Sequence, residues 1–347
     1  MGQDNLIGSG PFRLDRWEVG NRVIYVRNED YIPRTDPGSN FAGAQIPYLD
    51  QLIILEIPSE ETKMAGLKTD EWDIVDGPSL DFYQEMIEHP DFDVALDKPG
   101  KLSNIGIAHQ TAPMDNLKIR QAIQAALNSE AIMASLGDPA LWILCPAIFH
   151  CGSTWESHAG NELYNQNDPA KAKRLLEEAG YNGEPITLIN PTDYATITPT
   201  GHVIKAELEA VGIKVDMPAM DWSSAVSRFS VRPEPNNPFS RDYHMNTSWM
   251  GFYGYQDPVL LGIVGGVGNN PYQNDVMKDL RMQFARAVDP TEQKRLVDEI
   301  NRTAWETVMW IPHGQFFNIL PYSKRVKGFP VSPPQIKGMP ALSLIHI

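Results

Sequence analysis

Hydrophobic residues follow two different patterns along the chain, and the change falls near Asn116. Before this point, short apolar runs such as Arg22–Arg27 are rich in β-branched and aromatic residues and predict strands. Residues 52–57 form a run that is apolar except for Glu56, which is typical of a strand covered on both faces. With the short helix that follows and a strand at residues 72–75, this region predicts an α/β unit whose strands pair in parallel.

After Asn116 the apolar residues recur at helical spacing. Residues 117–133 predict one amphipathic helix. Asp168 and Pro169 predict the start of another helix, and Gly180 its end, because aspartate caps, proline fits the first turn and glycine allows a left-handed backbone. Two further helices are expected at residues 274–288 and from residue 289 to about residue 308.

A second α/β unit is predicted within this later region. It consists of a strand at residues 186–189, a helix at 200–211 and a strand at 213–217. Because the two α/β units lie in different parts of the chain, we expect an α/β fold with two separate sheets.

Composition and charge narrow the class of protein. The 347 residues are enough for roughly two domains, and 42% are hydrophobic and 21% charged, as in a globular protein. The formal net charge of −15 argues against a nucleic-acid partner, which would require clustered basic residues. No apolar run reaches the ~20 residues of a membrane span. The polar residues 1–5 do not resemble a signal sequence.

Two cysteines, Cys145 and Cys151, stand six positions apart. In an oxidising compartment they could close a small disulfide loop, and free thiols in the cytosol are the alternative. His150 and His158 add residue types found at metal sites, but no further paired ligands follow at the spacing of a zinc site. We therefore expect neither a metal nor a cofactor.

The stretch at residues 248–258, SWMGFYGYQDP, is the best candidate for a ligand site. It combines two glycines with one charged residue, Asp257, and four aromatics, namely Trp249, Phe252, Tyr253 and Tyr255. Aromatic faces on an adaptable backbone suit a wall that grips a small ligand. The alternative interpretation is a buried strand that leads into an aromatic loop.

Several short motifs, in this order, resemble those of one known family. They are GSGPF at 8–12, RNEDY at 27–31, MAGL at 64–67 with WDI at 72–74, KIRQAI at 118–123, the segment from DP to EAGY at 168–181, and VKGF at 326–329. The chain resembles the periplasmic peptide-binding proteins of ABC importers, the dipeptide, oligopeptide and nickel class of extracellular solute-binding proteins (family 5). The likeness covers nearly the whole chain.

This resemblance implies a two-lobed, class II periplasmic-binding-protein architecture with a hinge. Residues 1–109 and 313–347 would form lobe I, and residues 110–312 would form lobe II, with crossing strands near Ala108 and Pro312 as the hinge. The family's opening third has no counterpart before Met1, so we expect an N-terminally truncated chain whose full-length parent is periplasmic, or extracellular and lipid-anchored.

The resemblance also implies a function and a ligand set. The ligand would be a small peptide or peptide-like solute, and the partners would be the membrane subunits of an ABC transporter. His109 and His313, at the two expected crossings, join the aromatic stretch as candidate ligand-binding residues. Oligopeptide binders place an aspartate four residues before the proline of the stretch to hold the ligand's ammonium group, whereas this chain has Gly254 there.

An ester hydrolase on the same scaffold is the competing interpretation, because His109, His150 and His313 lie in segments that could face a cleft. The sequence has no G-x-S-x-G motif, however, and a triad is recognised by geometry. An interaction module with an exposed apolar face is a third interpretation. We expect binding without chemistry, and assign no catalytic residue.

The missing charged anchor yields a first prediction. Trp249→Ala should weaken ligand binding more than Asp257→Asn does, because the aromatic faces replace charge as the source of affinity. Titration calorimetry of both variants against a peptide library measures this. If Asp257→Asn weakened binding more, the anchoring charge would have moved along the stretch.

Overall fold

The computed structural model describes residues 8–37, 43–229, 241–251, 258–259 and 274–328. These residues divide into two compact units. The first contains the described residues up to Lys98 and from Asn318 onward, and the second is Pro99–Phe317. The chain thus passes from one unit to the other at Lys98–Pro99 and again at Phe317–Asn318.

The elements follow in chain order. The strands are β1 (Phe12–Glu18), β2 (Arg22–Arg27), β3 (Gln51–Leu55), β4 (Phe92–Leu96), β5 (Lys101–Ile107), β6 (Trp142–Leu144), β7 (Ile186–Ile189), β8 (Val215–Asp216), β9 (Met245–Gly251), β10 (Ile311–Phe316) and β11 (Ile319–Ser323). The helices are α1 (Glu60–Lys68), α2 (Tyr83–Glu88), α3 (Leu117–Ala126), α4 (Ser129–Ala134), α5 (Pro169–Ala179), α6 (Thr198–Ala210), α7 (Trp222–Phe229), α8 (Asp275–Arg286) and α9 (Pro290–Glu306).

The first unit has a small core under α1. Its buried residues are Met64, Leu67, Val75, Met86 and Phe92. The Trp72 ring lies against the backbone of Gly66, where an added Cβ would come within 2.0 Å of the ring, and its Nε1 donates to the carbonyl of Lys63 at 2.8 Å. Only glycine permits this close approach, so the helix and the following turn are fixed to each other.

The strands of the first unit correct two predictions. β3 pairs antiparallel with β2, and the order among the described strands is β1–β2–β3, so the predicted parallel α/β unit is wrong. Residue Ile74 instead bridges antiparallel to Tyr322 of β11, which pairs with β4. The run at residues 52–57 is not covered on both faces either, since Ile53 and Ile54 are 47% and 52% exposed. An apolar run does not reveal whether a strand lies at a sheet edge.

The second unit is built on a sheet whose described strands follow the order β6–β10–β5–β9–β7–β8. β5 pairs antiparallel with both β9 and β10, while β7 runs parallel to β8 and β9. The predicted second α/β unit, β7–α6–β8, is therefore confirmed. Ile105 and Met245 pack into a core with α3, α5 and α6, whereas Leu102 and Met250 pack into another with α8 and α9. Because side chains alternate along a strand, helices cover both faces of this sheet.

Helix ends follow local capping chemistry. Asp168 accepts a hydrogen bond from the N–H of Lys171, and Gly180 ends α5 with a φ of 69°, as predicted. The single helix expected at residues 117–133 is wrong, because Leu127 is extended and Asn128 caps a separate helix, α4, by accepting from Ala131.

In the described part of the chain, no helix is both long and apolar enough to cross a membrane.

The lobe boundaries and the hinge expected from the sequence stay a prediction, and the compact units divide the chain at other points. We expected crossings near Ala108 and Pro312, but both residues lie inside the second unit, at the end of β5 and within β10. These two strands pair antiparallel with each other, so both belong to the sheet of the second unit. The chain enters the second unit just before β5 begins and leaves it just after β10 ends.

The exposed face of β3 yields a stability prediction. Ile54→Lys should change the free energy of unfolding by no more than about 0.5 kcal/mol and lower the binding of the dye ANS, because the side chain already faces solvent. Ile24→Lys, on the adjacent strand and only 4% exposed, is the matched control and should cost more than about 3 kcal/mol. Urea unfolding and ANS fluorescence measure both effects. Equal losses in the two variants would contradict the exposure of β3.

Candidate functional site

The candidate residue Trp249 stands at one edge of the sheet in the second unit. The parallel strands β7 and β9 end at this edge, β10 ends there too, and the antiparallel β5 begins there. The chain enters the unit at Pro99 and leaves it at Phe317 beside the same edge. In α/β sheets, ligands bind outside the carboxyl ends of the strands, where loops diverge.

Trp249 stands on β9 at this edge, directly opposite Ser103 of β5. The ammonium nitrogen of Lys101, the first residue of β5, lies 4.3 Å from the centroid of the Trp249 ring. The ring face is electron-rich, so this contact is a favourable cation–π interaction. The indole Nε1 of Trp249 is buried and has no hydrogen-bond acceptor among the described residues. Both side chains are half-buried, so part of each can be reached from solvent.

Two further aromatic rings extend this surface. The Tyr194 ring lies 6.4 Å from Trp249 and 5.0 Å from Trp222, measured between ring centroids. Both are half-buried, as Trp249 is. We call Tyr194, Trp222 and Trp249 the aromatic edge. These separations are typical of aromatic pairs that interact, and together the rings form one apolar surface.

A hydrogen-bonded loop after β7 positions the aromatic edge. Asn190 donates to the carbonyl of Thr198 at 3.1 Å, and the Thr198 hydroxyl lies 2.9 Å from the carbonyl of Tyr194. The carboxylate of Asp193 accepts from the backbone N–H of Trp222 at 2.7 Å, which caps α7 onto the same loop. The loop is thus held by its own side chains, and it positions both the Tyr194 ring that it carries and the start of α7, which carries Trp222.

Scaffold side chains hold both described ends of the sequence stretch 248–258. The ring Nε2 of His150 donates to the carbonyl of Met250 at 2.9 Å. At the other end, Arg281 of α8 donates to the carbonyl of Pro258 at 2.9 Å. Four of the predicted ligand-binding residues lie between these points and outside the described residues: Phe252, Tyr253, Tyr255 and Asp257.

The loop that carries His150 is closed by a disulfide between Cys145 and Cys151. The sequence left open whether these cysteines form a disulfide or stay free thiols, and the structure shows the disulfide. The N–H of Cys151 donates to Oε1 of Gln315 on β10, and Nε2 of Gln315 donates in turn to the carbonyl of Pro99. The disulfide loop is therefore bonded to β10 and to the segment that enters β5, as well as to the end of β9 through His150.

His109 and His313, predicted as ligand-binding residues, are both buried in the second unit. His109 Nε2 donates to the carbonyl of Val308 at 3.0 Å, and burial, with the nearby Arg120, lowers its pKa to about 3. Burial alone lowers the pKa of His313 to about 3, and neither ring nitrogen has a hydrogen-bond partner among the described residues. Both rings are thus neutral members of the interior at pH 7, as is His150, whose pKa burial lowers to about 4.

These three histidines also bear on the hydrolase interpretation. It relied on His109, His150 and His313 facing a cleft, and the structure buries all three, with exposures of 7%, 0% and 0%. A general base must lie within reach of the proton that it abstracts. Among the described residues, no group of three or more His, Cys, Asp or Glu side chains converges as a metal site.

The fold is that of solved periplasmic binding proteins, and comparison with known proteins gives the family. Residues 2–271 match the family described as bacterial extracellular solute-binding proteins, family 5, middle region. The chain belongs to this family, which confirms the resemblance inferred from its motifs.

Relatives and a solved structure agree with this assignment. The chain is 29% identical over 332 residues to "Probable peptide ABC transporter periplasmic-binding protein y4tO" of Sinorhizobium fredii, covering 93% of this chain and 62% of that protein. It is 24% identical to the glutathione-binding protein GsiB of Escherichia coli K12, covering 94% and 62%. The structure of a dipeptide-binding protein from Pseudoalteromonas sp. SM9913 with Met-Leu superposes with a TM-score of 0.78 at 19% identity, covering 99% of this chain and 66% of that one. The chain thus spans less than two thirds of the length of these proteins.

Three residues of the site were not predicted from the sequence: Lys101, Tyr194 and Trp222. Each is an isolated residue in its own segment, and only the sheet topology brings these segments to one edge. A conspicuous cluster such as residues 248–258 is visible in sequence, whereas residues that become neighbours through folding leave no local signal.

The buried histidines yield a prediction on acid stability. The pKa of His313 falls from an ordinary 6.5 to about 3, so on acidification the unfolded chain binds the proton at a higher pH than the folded chain does. The contribution of the neutral ring to the free energy of unfolding is therefore full above pH 6.5 and declines as the pH falls toward 3. His313→Leu should reduce the slope of this decline by up to about 1.4 kcal/mol per pH unit. Urea unfolding between pH 7 and pH 4 measures the slope.

The exposed His202 supplies the control for this experiment. His202→Leu should leave the slope unchanged, since this side chain is exposed in the folded protein as well as in the unfolded chain. An unchanged slope in His313→Leu would show that the ring is protonated in the folded protein, against the burial seen here.

Proposed function

We propose that this chain is the ligand-binding part of an extracytoplasmic solute-binding component of an ABC importer, and that it binds a small peptide or peptide-like solute at the aromatic edge. No bond is made or broken. Affinity comes from burial of the ligand against the rings and from hydrogen bonds with backbone groups at the strand ends.

One observation carries this proposal: three aromatic rings, Tyr194, Trp222 and Trp249, meet at the carboxyl edge of the sheet in the second unit. Burial of apolar surface contributes about 25 cal/mol per Å². Three half-exposed rings therefore supply several kcal/mol to a ligand that covers them. A peptide offers apolar side chains to the rings, and backbone donors and acceptors to the strand ends.

The family and the disulfide support the proposed compartment and partner. The matched family is extracellular, and one relative is named as part of a peptide ABC transporter. Disulfides persist in oxidising compartments. The full-length protein accordingly acts in the periplasm, or outside the cell with a lipid anchor, and delivers its ligand to membrane subunits of the transporter. The two compact units are the two lobes of this architecture.

Titration calorimetry tests the ligand class. The purified chain is titrated with Met-Leu, with glutathione and with a library of short peptides, and we expect saturable binding by at least one peptide. Binding to the folded state should also raise the unfolding free energy, by about 2.7 kcal/mol at a ligand concentration 100 times Kd. No response from any peptide, with clear binding of a sugar or a metal chelate, would overturn the peptide proposal.

Substitutions test the location. Trp222→Ala and Tyr194→Ala should each weaken peptide binding about tenfold, because each removes a ring from the surface. Trp17→Ala is the matched control, since Trp17 is a 43% exposed tryptophan of the first unit, and it should bind as the unsubstituted chain does. Thermal unfolding checks that each variant is folded. Unchanged affinity in both edge variants would exclude the aromatic edge as the binding surface.

A further inference from the structure

The sheet β1–β2–β3 of the first unit has one apolar side. Residues directly opposite each other on paired strands point to the same side of a sheet, and side chains alternate along each strand. Val23 of β2 therefore shares a side with its two partners, Trp17 of β1 and Ile54 of β3. We call this side the apolar face. Its members are Phe12, Leu14, Trp17, Val23, Tyr25, Leu52 and Ile54, with Arg27 as the one charged residue.

A bulge in β1 completes the apolar face. The pairing shifts by one residue between Leu14 and Arg16, so Trp17 lies opposite Val23. Without the shift Arg16 would take that place, since a bulge changes which side of the sheet the following residues point to. The opposite side is mixed in character and carries Arg13, Arg16, Glu18, Arg22, Ile24, Val26, Gln51, Ile53 and Leu55.

The apolar face is not buried. Trp17 is 43% exposed and Ile54 52% exposed, and the other members are half-buried. The one buried residue of the three strands, Ile24, points to the opposite side. A small antiparallel sheet gains its stability when another layer packs on its hydrophobic side, and a contiguous exposed apolar surface marks a contact site. The pattern of this sheet thus calls for a covering layer.

The size of the face argues against a second copy of the chain as that layer. Three strands with a spacing of about 4.8 Å and a length of about 20 Å offer roughly 300 Å². Two copies stacked on this face would bury roughly 600 Å², below the ~1,000 Å² expected of a stable interface. A segment of the same polypeptide needs less area, because the linking chain gives it an effective concentration in about the millimolar range.

The lengths of the relatives indicate where such a segment comes from. The chain spans 62% of the S. fredii protein and 62% of the E. coli glutathione-binding protein, and the matched family region is described as a middle region. Both relatives therefore contain polypeptide that has no counterpart in these 347 residues.

We propose that the apolar face is an internal contact surface of a longer parent protein, and that it packs against a segment of the same polypeptide outside these 347 residues. The segment would present an apolar sheet or helix face, about 10 Å above β1–β2–β3. This proposal does not depend on the ligand. It also accounts for an exposed apolar surface without the separate partner that an interaction module would require.

Cysteine labelling tests the proposal by comparing the 347-residue chain with the full-length protein expressed from the complete gene. Ile54→Cys places a thiol on the apolar face, and Cys145 and Cys151 do not compete because they form a disulfide. A maleimide should label this thiol rapidly in the 347-residue chain. In the full-length protein labelling should be about a hundredfold slower, because a covered thiol reacts only when the structure opens locally.

A neighbouring residue supplies the matched control. Ile53 is 47% exposed and points to the opposite side of the same strand, so Ile53→Cys should be labelled at similar rates in both proteins. Trp17→Cys repeats the test from another strand, should Ile54→Cys fail to fold. Thermal unfolding verifies that each variant is folded.

Several results would overturn the proposal. Equal labelling of Ile54→Cys in the two proteins would show that no further segment covers the face, as would a gene that encodes no polypeptide beyond these residues. Slow labelling already in the 347-residue chain would assign the cover to these residues or to a second copy. Sedimentation velocity separates the last two, since Ile54→Lys should convert a dimer built on this face into monomers. None of these results bears on peptide binding.

Discussion

The pairing of β5 with β9 is the contact on which the site depends. These strands are far apart in sequence, and joining them closes a long loop at an entropy cost that the surrounding core must offset. The pairing sets Trp249 opposite Ser103 and brings Lys101 to the same edge. Side chains alternate along a strand, so a slip of one residue would turn the Trp249 ring to the opposite face of the sheet, away from Lys101.

The polar side chains near the sheet mainly form hydrogen bonds that hold β5, β9 and the neighbouring loops in place. His150 donates to Met250 at the end of β9, and Gln315 links the disulfide loop to the entry of β5. On the other side of β9, the hydroxyl of Thr247 donates to Asn190, whose amide nitrogen in turn binds the loop that carries Tyr194. Side chains that look chemically reactive in the sequence thus hold the backbone in place through hydrogen bonds. A histidine such as His150 can do this as a neutral group, because burial suppresses its charge.

The sequence predicts those features that are decided locally. The cap at Asp168 and the left-handed Gly180 specify α5 from a few neighbouring residues, and the α/β unit of β7, α6 and β8 follows from periodicity. The antiparallel, exposed edge strand β3 could not be predicted, because strand order is decided by distant partners. The site divides in the same way. Trp249 stood out within an aromatic cluster, whereas Lys101, Tyr194 and Trp222 become its neighbours only through the topology of the sheet.

The disulfide connects the geometry of the site to the compartment of the protein. In chain-entropy terms, a loop as short as that between Cys145 and Cys151 adds only about 2–3 kcal/mol, so its larger effect is local. The closed loop keeps His150 and the N–H of Cys151 in place, and these donors bind the carbonyl of Met250 and the side chain of Gln315. Reduction would release the loop that supports the end of β9, directly beside Trp249. A site with this support is best maintained where thiols stay oxidised, in agreement with an extracellular family.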